Sequence, residues 1–401
     1  MASNTFPILR RDSTSADVFQ EAVWSRVFNH RRDPTRVPRA VVKPTTVEHI
    51  QKAVLVANEE NCRVSIRSGG HSWAIWSVRN DAILIDLENF NLLEYNAEDL
   101  TVTCSPSTTG KQLIEFLATK GRSFPVGHMS DIGLGGFLLG ANFILIGISV
   151  RRTGVSSIAA TLKMRNYFGL CTAEGLACKH GDPDTECIIV GMQPPHSPVA
   201  AMGFVAFSFK ESREEAQKLV DGRFANYPKG AVIENLCNPS TIPQASAFLD
   251  STTPEGSRIC ADTAWLSDDS NLAELFMQAL SALPSKNSSI IYMHRPQTDV
   301  ERTAFLVTSH HFFSLYATWQ DEADDEKCID WVRKTYQTTE PFEVASAISD
   351  ADFQARTYKF WSPENAQKVM SLRKKWDANG RFCGYLDAGD KAGVEGLKTR
   401  A

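Results

Sequence analysis

The chain has 401 residues, more than one compact core usually holds, and its 43% apolar and 22% charged residues are those of an ordinary globular protein. A net charge of −5 excludes the broad basic surface that nonspecific nucleic-acid binding needs. No run reaches the ~18 apolar residues of a membrane span; the longest, Phe137 to Val150, is broken by Gly140, Asn142 and Gly147.

The first residues lack an apolar stretch long enough for a secretory signal, so the expectation is a cytoplasmic protein without a membrane partner. The nine cysteines are Cys62, Cys104, Cys171, Cys178, Cys187, Cys237, Cys260, Cys328 and Cys383. Their number is odd and no CxxC occurs, which fits free thiols in a reducing compartment. Cys171, Cys178 and Cys187 lie near His180, but their spacing matches no zinc pattern.

In chain order, an extended piece RVPRAVVKP leads through Pro44 into a helix. Thr45 and Glu48 have the spacing of a capping box there, with Ile50, Val54, Leu55 and Ala57 as its buried stripe. Arg63 to Arg67 is a strand ended by Ser68-Gly69-Gly70, and Ala82 to Leu87 and Leu100 to Cys104 are further strands. Lys111 to Lys120 is a helix with Leu113, Phe116 and Leu117 on one side and Gly121 beyond its end. Residues 141–180 follow neither helix nor strand period. Beyond them, Met202 to Phe209 alternates as a strand, and Ser212 with Glu215 caps a helix running to about Phe224. Ser289 to His294 and His310 to Trp319 are strands. The acidic DEADDE opens a helix with Ile329, Val332 and Tyr336 inward. Acids complement the dipole at that end, so the run is a helix start rather than a metal site. Pro363 to Trp376 is a last helix, with Ala366, Val369, Met370 and Leu372 inward. The expected fold class is α+β, with a second domain built on an antiparallel sheet that carries helices on one face.

Chemistry concentrates in Arg67-Ser68-Gly69-Gly70-His71-Ser72, directly after a strand. Paired glycines allow backbone N–H groups to close on a ligand, and successive N–H groups form a nest for phosphate oxygens. Ser68 and Ser72 add hydroxyls, and Arg67 adds positive charge. A second glycine-rich surface lies in Pro125-Val126-Gly127-His128 and Gly133-Leu134-Gly135-Gly136. Two such loops in one domain suit the two ends of a long dinucleotide. Neither has the GxGxxG spacing of a nicotinamide dehydrogenase.

The segments VVKPTTVEHIQKAV, IRSGGHS, ILIDLENFN and FPVGHMSDIGLGGFLLG, in that order, resemble the FAD-binding domain of the vanillyl-alcohol-oxidase superfamily. The likeness is to its berberine-bridge-enzyme-like and 6-hydroxynicotine-oxidase-like branch. PENAQKVMSLRKKWDANGRFCGYL is similar to the family's closing segment. The resemblance implies a two-domain flavoprotein: an N-terminal segment 1–35, a PCMH-type FAD-binding domain 36–185, a substrate domain 186–345, and a C-terminal segment 346–401 returning to the first domain. It implies FAD held by Arg67, Ser68, Gly69, Gly70, His71, Ser72, Gly127, His128, Gly133, Gly135 and Gly136. His71 stands where the family bonds the flavin 8α-methyl to histidine. Met129 stands where many relatives have a second, cysteine link; a thioether offers no thiolate, so one bond at most is expected.

The chain departs from the family after Gly140. ANFILIGISVRRTGVSSIAATLK replaces a longer stretch. Either Asn166–Gly169 is a remnant of the family's late glycine-aromatic turn, or Leu170–Gly175 is its VVTADG-like strand. The resemblance implies oxidation of a small alcohol, sugar or amine, with hydride passing to the flavin and dioxygen as acceptor. The alternative is an inactive or truncated member kept as a binding or scaffold protein. His310, His311, Tyr316, Tyr292 and Glu343 are candidates for the base, and sequence does not choose among them. Nor does it set the oligomeric state.

Overall fold

The computed structural model describes residues 5–122, 124, 126–140, 157–163, 185–194, 197–208, 212–224, 232–240, 250, 253–294, 309–353, 356 and 358–384. The first unit is built on a sheet of β1 (Ile8–Arg10), β2 (Ala40–Val42), β3 (Val64–Arg67) and β4 (Ile83–Asp86), in the order β1-β2-β4-β3. β2 and β3 run parallel to β4, and β1 closes one edge antiparallel. A parallel sheet is covered on both faces, which explains the unbroken apolar runs Ala40-Val41-Val42 and Ile83-Leu84-Ile85, all buried. Helix α2 (Val47–Glu59) covers one face through Ala53 and Ala57. Helix α1 (Ala16–Trp24) covers the other, placing Phe19 and Val23 on Val41 and Leu84.

Two details of α2 differ from the sequence expectation. Its N-cap is Thr46, whose side chain accepts from the His49 N–H, one residue later than Thr45. Leu55 is 60% exposed, because it lies two residues from both Ala53 and Ala57 and so points away from their face. A hairpin of β5 (Leu93–Asn96) and β6 (Thr101–Cys104) joins α3 (Gly110–Ala118) and α4 (Leu134–Leu139) around Leu113, Leu117, Leu134 and Phe137. The α3 start is a complete capping box of Thr109 and Gln112.

The second unit is an eight-stranded sheet. Its strands are β7 (Ser157–Lys163), β8 (Thr185–Met192), β9 (Ala201–Ser208), β10 (Val232–Ser240), β11 (Arg258–Leu266), β12 (Ser289–His294), β13 (His311–Trp319) and β14 (Glu343–Ala345). The order is β10-β7-β9-β8-β12-β13-β11-β14, with antiparallel pairing throughout, so β7, upstream of residue 185, already belongs to this sheet. Helix α5 (Arg213–Phe224) lies by β7 and β9. Helices α6 (Leu272–Ser281) and α7 (Asp325–Thr339) cover one face through Leu275, Phe276, Trp331, Val332 and Tyr336. The acid run does open α7, and its Asp325 also clamps Arg258 at 2.6 Å and the Trp319 indole at 2.7 Å.

Alternation along β13 sends Phe313, Leu315, Ala317 and Trp319 into that helical core. Phe312, Ser314, Tyr316 and Thr318 therefore face the other way, toward the first unit. Helix α8 (Pro363–Trp376) rests on its surroundings through Ala366 and Val369. Met370 and Leu372, expected inward, are 37% and 46% exposed because that short contact face does not reach them. After α8 the chain joins the β3 edge, where Val64 exchanges backbone bonds of 2.8 Å with Arg381 and Cys383.

Candidate active site

β3 ends at Arg67, which is fully enclosed. Its guanidinium donates to Asp86 at 2.8 Å, to Ala22 O at 2.7 Å and to Val23 O. Those bonds commit its charge to anchoring the strand end against β4 and α1, not to the loop beyond it.

That loop and the second glycine segment lie against each other. A Cβ on Gly69 would fall 2.4 Å from Gly133 N, and one on Gly133 would fall 2.5 Å from Gly69 N. Gly70 has φ +83°, and a Cβ there would sit 1.7 Å from Arg26 O. Ser68 Oγ donates to Pro106 O, which also crowds Gly135. The glycines thus serve loop-on-loop contact first, whereas the sequence alone suggests two loops at separate ends of a ligand. Gly136 is different: it is exposed, and a Cβ there would meet nothing within 4 Å among the described residues. Gly127 borders Ile132 and Phe137 of the second segment, and Ser72 Oγ accepts from the Trp76 N–H at 3.3 Å.

His71 is held in the mouth of these loops. Its ring stacks on Phe28 with centroids 4.1 Å apart and meets Trp73 edge-on at 6.4 Å. Nε2 lies 2.8 Å from Asp131 Oδ1, yet off the N–H direction. Among the described residues, both buried ring nitrogens are therefore left without an aligned hydrogen bond. Burial alone would raise the Asp131 carboxyl pKa, but the neighbouring His71 outweighs it and holds it below its usual range. The 128–131 loop is fixed from outside by Asp250, which accepts from Ser130 N at 2.9 Å and from Ser130 Oγ at 2.7 Å.

The second unit brings its own groups to this place. The Trp73 indole donates to Asp350 Oδ1 at 2.6 Å, and Tyr316 OH donates to Asp350 Oδ2 at 3.1 Å. The Trp73 and Tyr316 rings meet edge to face at 6.0 Å. Burial pushes the Asp350 carboxyl up, against the opposing pull of the Trp73 and Tyr316 hydrogen bonds and the His128 charge. Burial, followed by the Asp350 charge, holds the Tyr316 phenol well above its ordinary value. Asn29 staples the two units here: its amide donates to Trp73 O at 2.6 Å and Ile259 O at 2.9 Å, and accepts from Ile259 N.

Of the five base candidates, only Tyr316 is in this group. Tyr292 and His311 lie on the helix-covered face of the sheet, bonded OH to Nδ1 at 3.0 Å, with His310 and His294 beside them. Glu343 is tied to Arg356 and Ser346. Sequence reasoning missed Phe28, Trp73, Asp131, Asp250 and Asp350. Trp73 and Asp131 sit within or beside the segments already singled out; the others carry no local signal.

Comparison with known proteins now bears on this geometry. An FAD-binding domain family matches residues 38–145. The FAD-linked oxidoreductase janO of Penicillium janthinellum is 28% identical over 95% of this chain and 98% of its own length. The FAD-linked oxidoreductase nodO of Hypoxylon pulicicidum is 29% identical over 96% and 98%. Among solved structures, 6-hydroxy-D-nicotine oxidase of Arthrobacter nicotinovorans superimposes with TM-score 0.78 at 12% identity, covering 95% of this chain and 98% of that one. The berberine bridge enzyme of Eschscholzia californica gives 0.73 at 14%, covering 95% and 96%.

The chain thus carries an FAD-binding domain at residues 38–145, is similar along almost its whole length to FAD-linked oxidoreductases, and shares its fold with berberine-bridge-like enzymes. Its α+β, two-domain fold is theirs. The janO alignment spans 444 positions, to which this oxidoreductase contributes 95% of its 401 residues, about sixty fewer. The described residues fit the cofactor at His71, which offers buried ring nitrogens without aligned partners. Among the described residues no helix is long and apolar enough to cross a membrane.

Proposed function

We propose that this oxidoreductase oxidises a small alcohol, sugar or amine by hydride transfer to a flavin tethered at His71, with dioxygen as final acceptor. The observation that carries this reading is the meeting of His71 and Trp73 from the first unit with Tyr316 and Asp350 from the second. FAD, when bound, supplies the hydride acceptor. Ser68, Gly69, Gly70, His71 and Ser72 would hold it together with Gly127, His128, Gly133, Gly135 and Gly136, while Arg67 acts from beneath by fixing the strand.

The Tyr316–Asp350 pair moves the substrate proton. Tyr316 stays a phenol at neutral pH, so it is the donor between the two groups and Asp350 the acceptor. A substrate O–H or N–H facing the Tyr316 oxygen can pass its proton there as the phenol proton moves to Asp350. Trp73 holds the carboxylate in line from its other oxygen.

The test is anaerobic mixing of the purified protein with panels of alcohols, sugars and amines, read as bleaching of the flavin absorption. Bleaching followed by recovery on admitting oxygen supports the reading; a flavin-loaded protein that no panel member bleaches, but that the reductant dithionite does, counts against it. A second reading, a family member that keeps the shape without turnover, draws on the sixty-position shortfall and is favoured by that same result.

A further inference from the structure

Asp131 has no part in the Tyr316–Asp350 relay, yet it is the charged group in contact with the His71 ring. Three facts locate it. Its Oδ1 is 2.8 Å from Nε2, the far nitrogen of the imidazole. Both ring nitrogens are buried without an aligned hydrogen bond among the described residues, but only Nε2 has a charged group against it. The loop that carries Asp131 is pinned by two hydrogen bonds that Ser130 donates to Asp250, while Phe28 holds the ring plane.

A neutral imidazole has one N–H and one lone pair, and the partner of one nitrogen decides which is which. A carboxylate against Nε2 repels a lone pair there and favours an N–H. The lone pair is then left on Nδ1, which no hydrogen bond among the described residues engages.

We propose that Asp131 is a positioning residue that sets the tautomer of His71 and directs Nδ1, rather than Nε2, to the flavin. This inference rests on the tether reading above. In the attachment, the Nδ1 lone pair forms a C–N bond to the 8α carbon and one methyl C–H bond breaks. That proton, the Nε2 proton released as the ring returns to neutrality, and the electron pair reduce the isoalloxazine. Dioxygen then takes two electrons and two protons as hydrogen peroxide, which restores the oxidised ring. While the imidazole carries positive charge, Asp131 beside Nε2 offsets it.

Apoprotein of the wild type and of Asp131→Asn, Asp131→Ala and Asp131→Glu would be mixed with FAD. Acid-precipitated flavin would be followed with time, and the bonded nitrogen identified in the histidyl-flavin released by proteolysis. Wild type is expected to bond through Nδ1. Asn and Ala are expected to bind FAD and attach it about ten- to a hundredfold more slowly, the scale of a lost charge-assisted contact. Bonding at Nε2 in these variants would also support the proposal, as would rescue by Glu. Wild-type rate and Nδ1 bonding in Asn and Ala would overturn it while leaving the tether intact. A wild type whose flavin stays in the supernatant overturns the tether and this inference together.

Discussion

Replacing Asp350 with Asn keeps an amide oxygen for the Trp73 indole, 2.6 Å away, but removes the charge that accepts the Tyr316 proton at 3.1 Å. General-base groups contribute about 10²–10⁴ in rate, or ~3–5.5 kcal/mol of barrier at ~1.36 kcal/mol per decade. Burial already disfavours the Asp350 charge, so the neutral amide is expected to be accommodated and the variant to fold and load flavin as the wild type does. Burial raises the Asp350 pKa, so the acceptor form is present only above a midpoint higher than an ordinary carboxylate's. The rate of flavin reduction in the wild type therefore climbs with pH through that midpoint, and the climb should vanish in Asp350→Asn. Stopped-flow reduction under anaerobic conditions, with whichever substrate bleaches the flavin, measures both. A variant that reduces within about threefold of wild type, with the acid limb unchanged, would refute the relay.

Gly69→Ala places a methyl against the Gly133 backbone, neither side of which can yield, and should cost about 1–3 kcal/mol or more of apoprotein stability, read by thermal unfolding. Gly136→Ala has open space and sits in α4, so the apoprotein should be unchanged or up to ~1 kcal/mol firmer; a fall in FAD occupancy there would mark that space as cofactor volume. Arg356 holds both Asp262 and Glu343 within the second unit, where burial pushes the Asp262 carboxyl up to about 6 despite it. Arg356→Met leaves two buried acids unpaired and should destabilise by about 3–5 kcal/mol at neutral pH. A folded-state pKa raised above the unfolded one makes the Asp262 contribution fullest at acidic pH and lost as pH rises toward 6, so the Arg356→Met deficit should shrink on acidification in denaturant titrations. Asn29→Ala strands the Ile259 N–H and carbonyl in the interface between units, at about 1–3 kcal/mol per unsatisfied group.

The parts of the fold legible in sequence were those with local grammar. Short apolar or alternating runs gave β4, β9, β12 and β13, Ser212 marks the start of α5, and the run Pro363 to Trp376 matches α8. β11 was not legible: RICADTAWL is buried almost throughout, and its polar Asp262 and Thr263 are satisfied by Arg356, Tyr358 and Ala347, partners remote in the chain. The same reason hid half of the site. The His71 loop announced itself through its glycines, whereas Asp350 lies in an ordinary Ile-Ser-Asp turn and stands out only because Tyr316 and Trp73 converge on it. Arg67 shows the reverse error. A cation beside a glycine loop reads as a phosphate ligand, but its Asp86 partner nineteen residues on draws it into the core. The sequence expectations for residues 141–156 and 164–184, including the two remnant assignments, lie outside the described residues.

The most direct test is the absorption spectrum of the purified chain, repeated after acid precipitation on the wild type and on His71→Ala. A flavin tethered at His71 predicts a yellow protein whose flavin pellets with the wild type and stays in solution with the variant. A colourless wild type, or flavin that leaves the wild-type pellet as readily as the variant's, would contradict it.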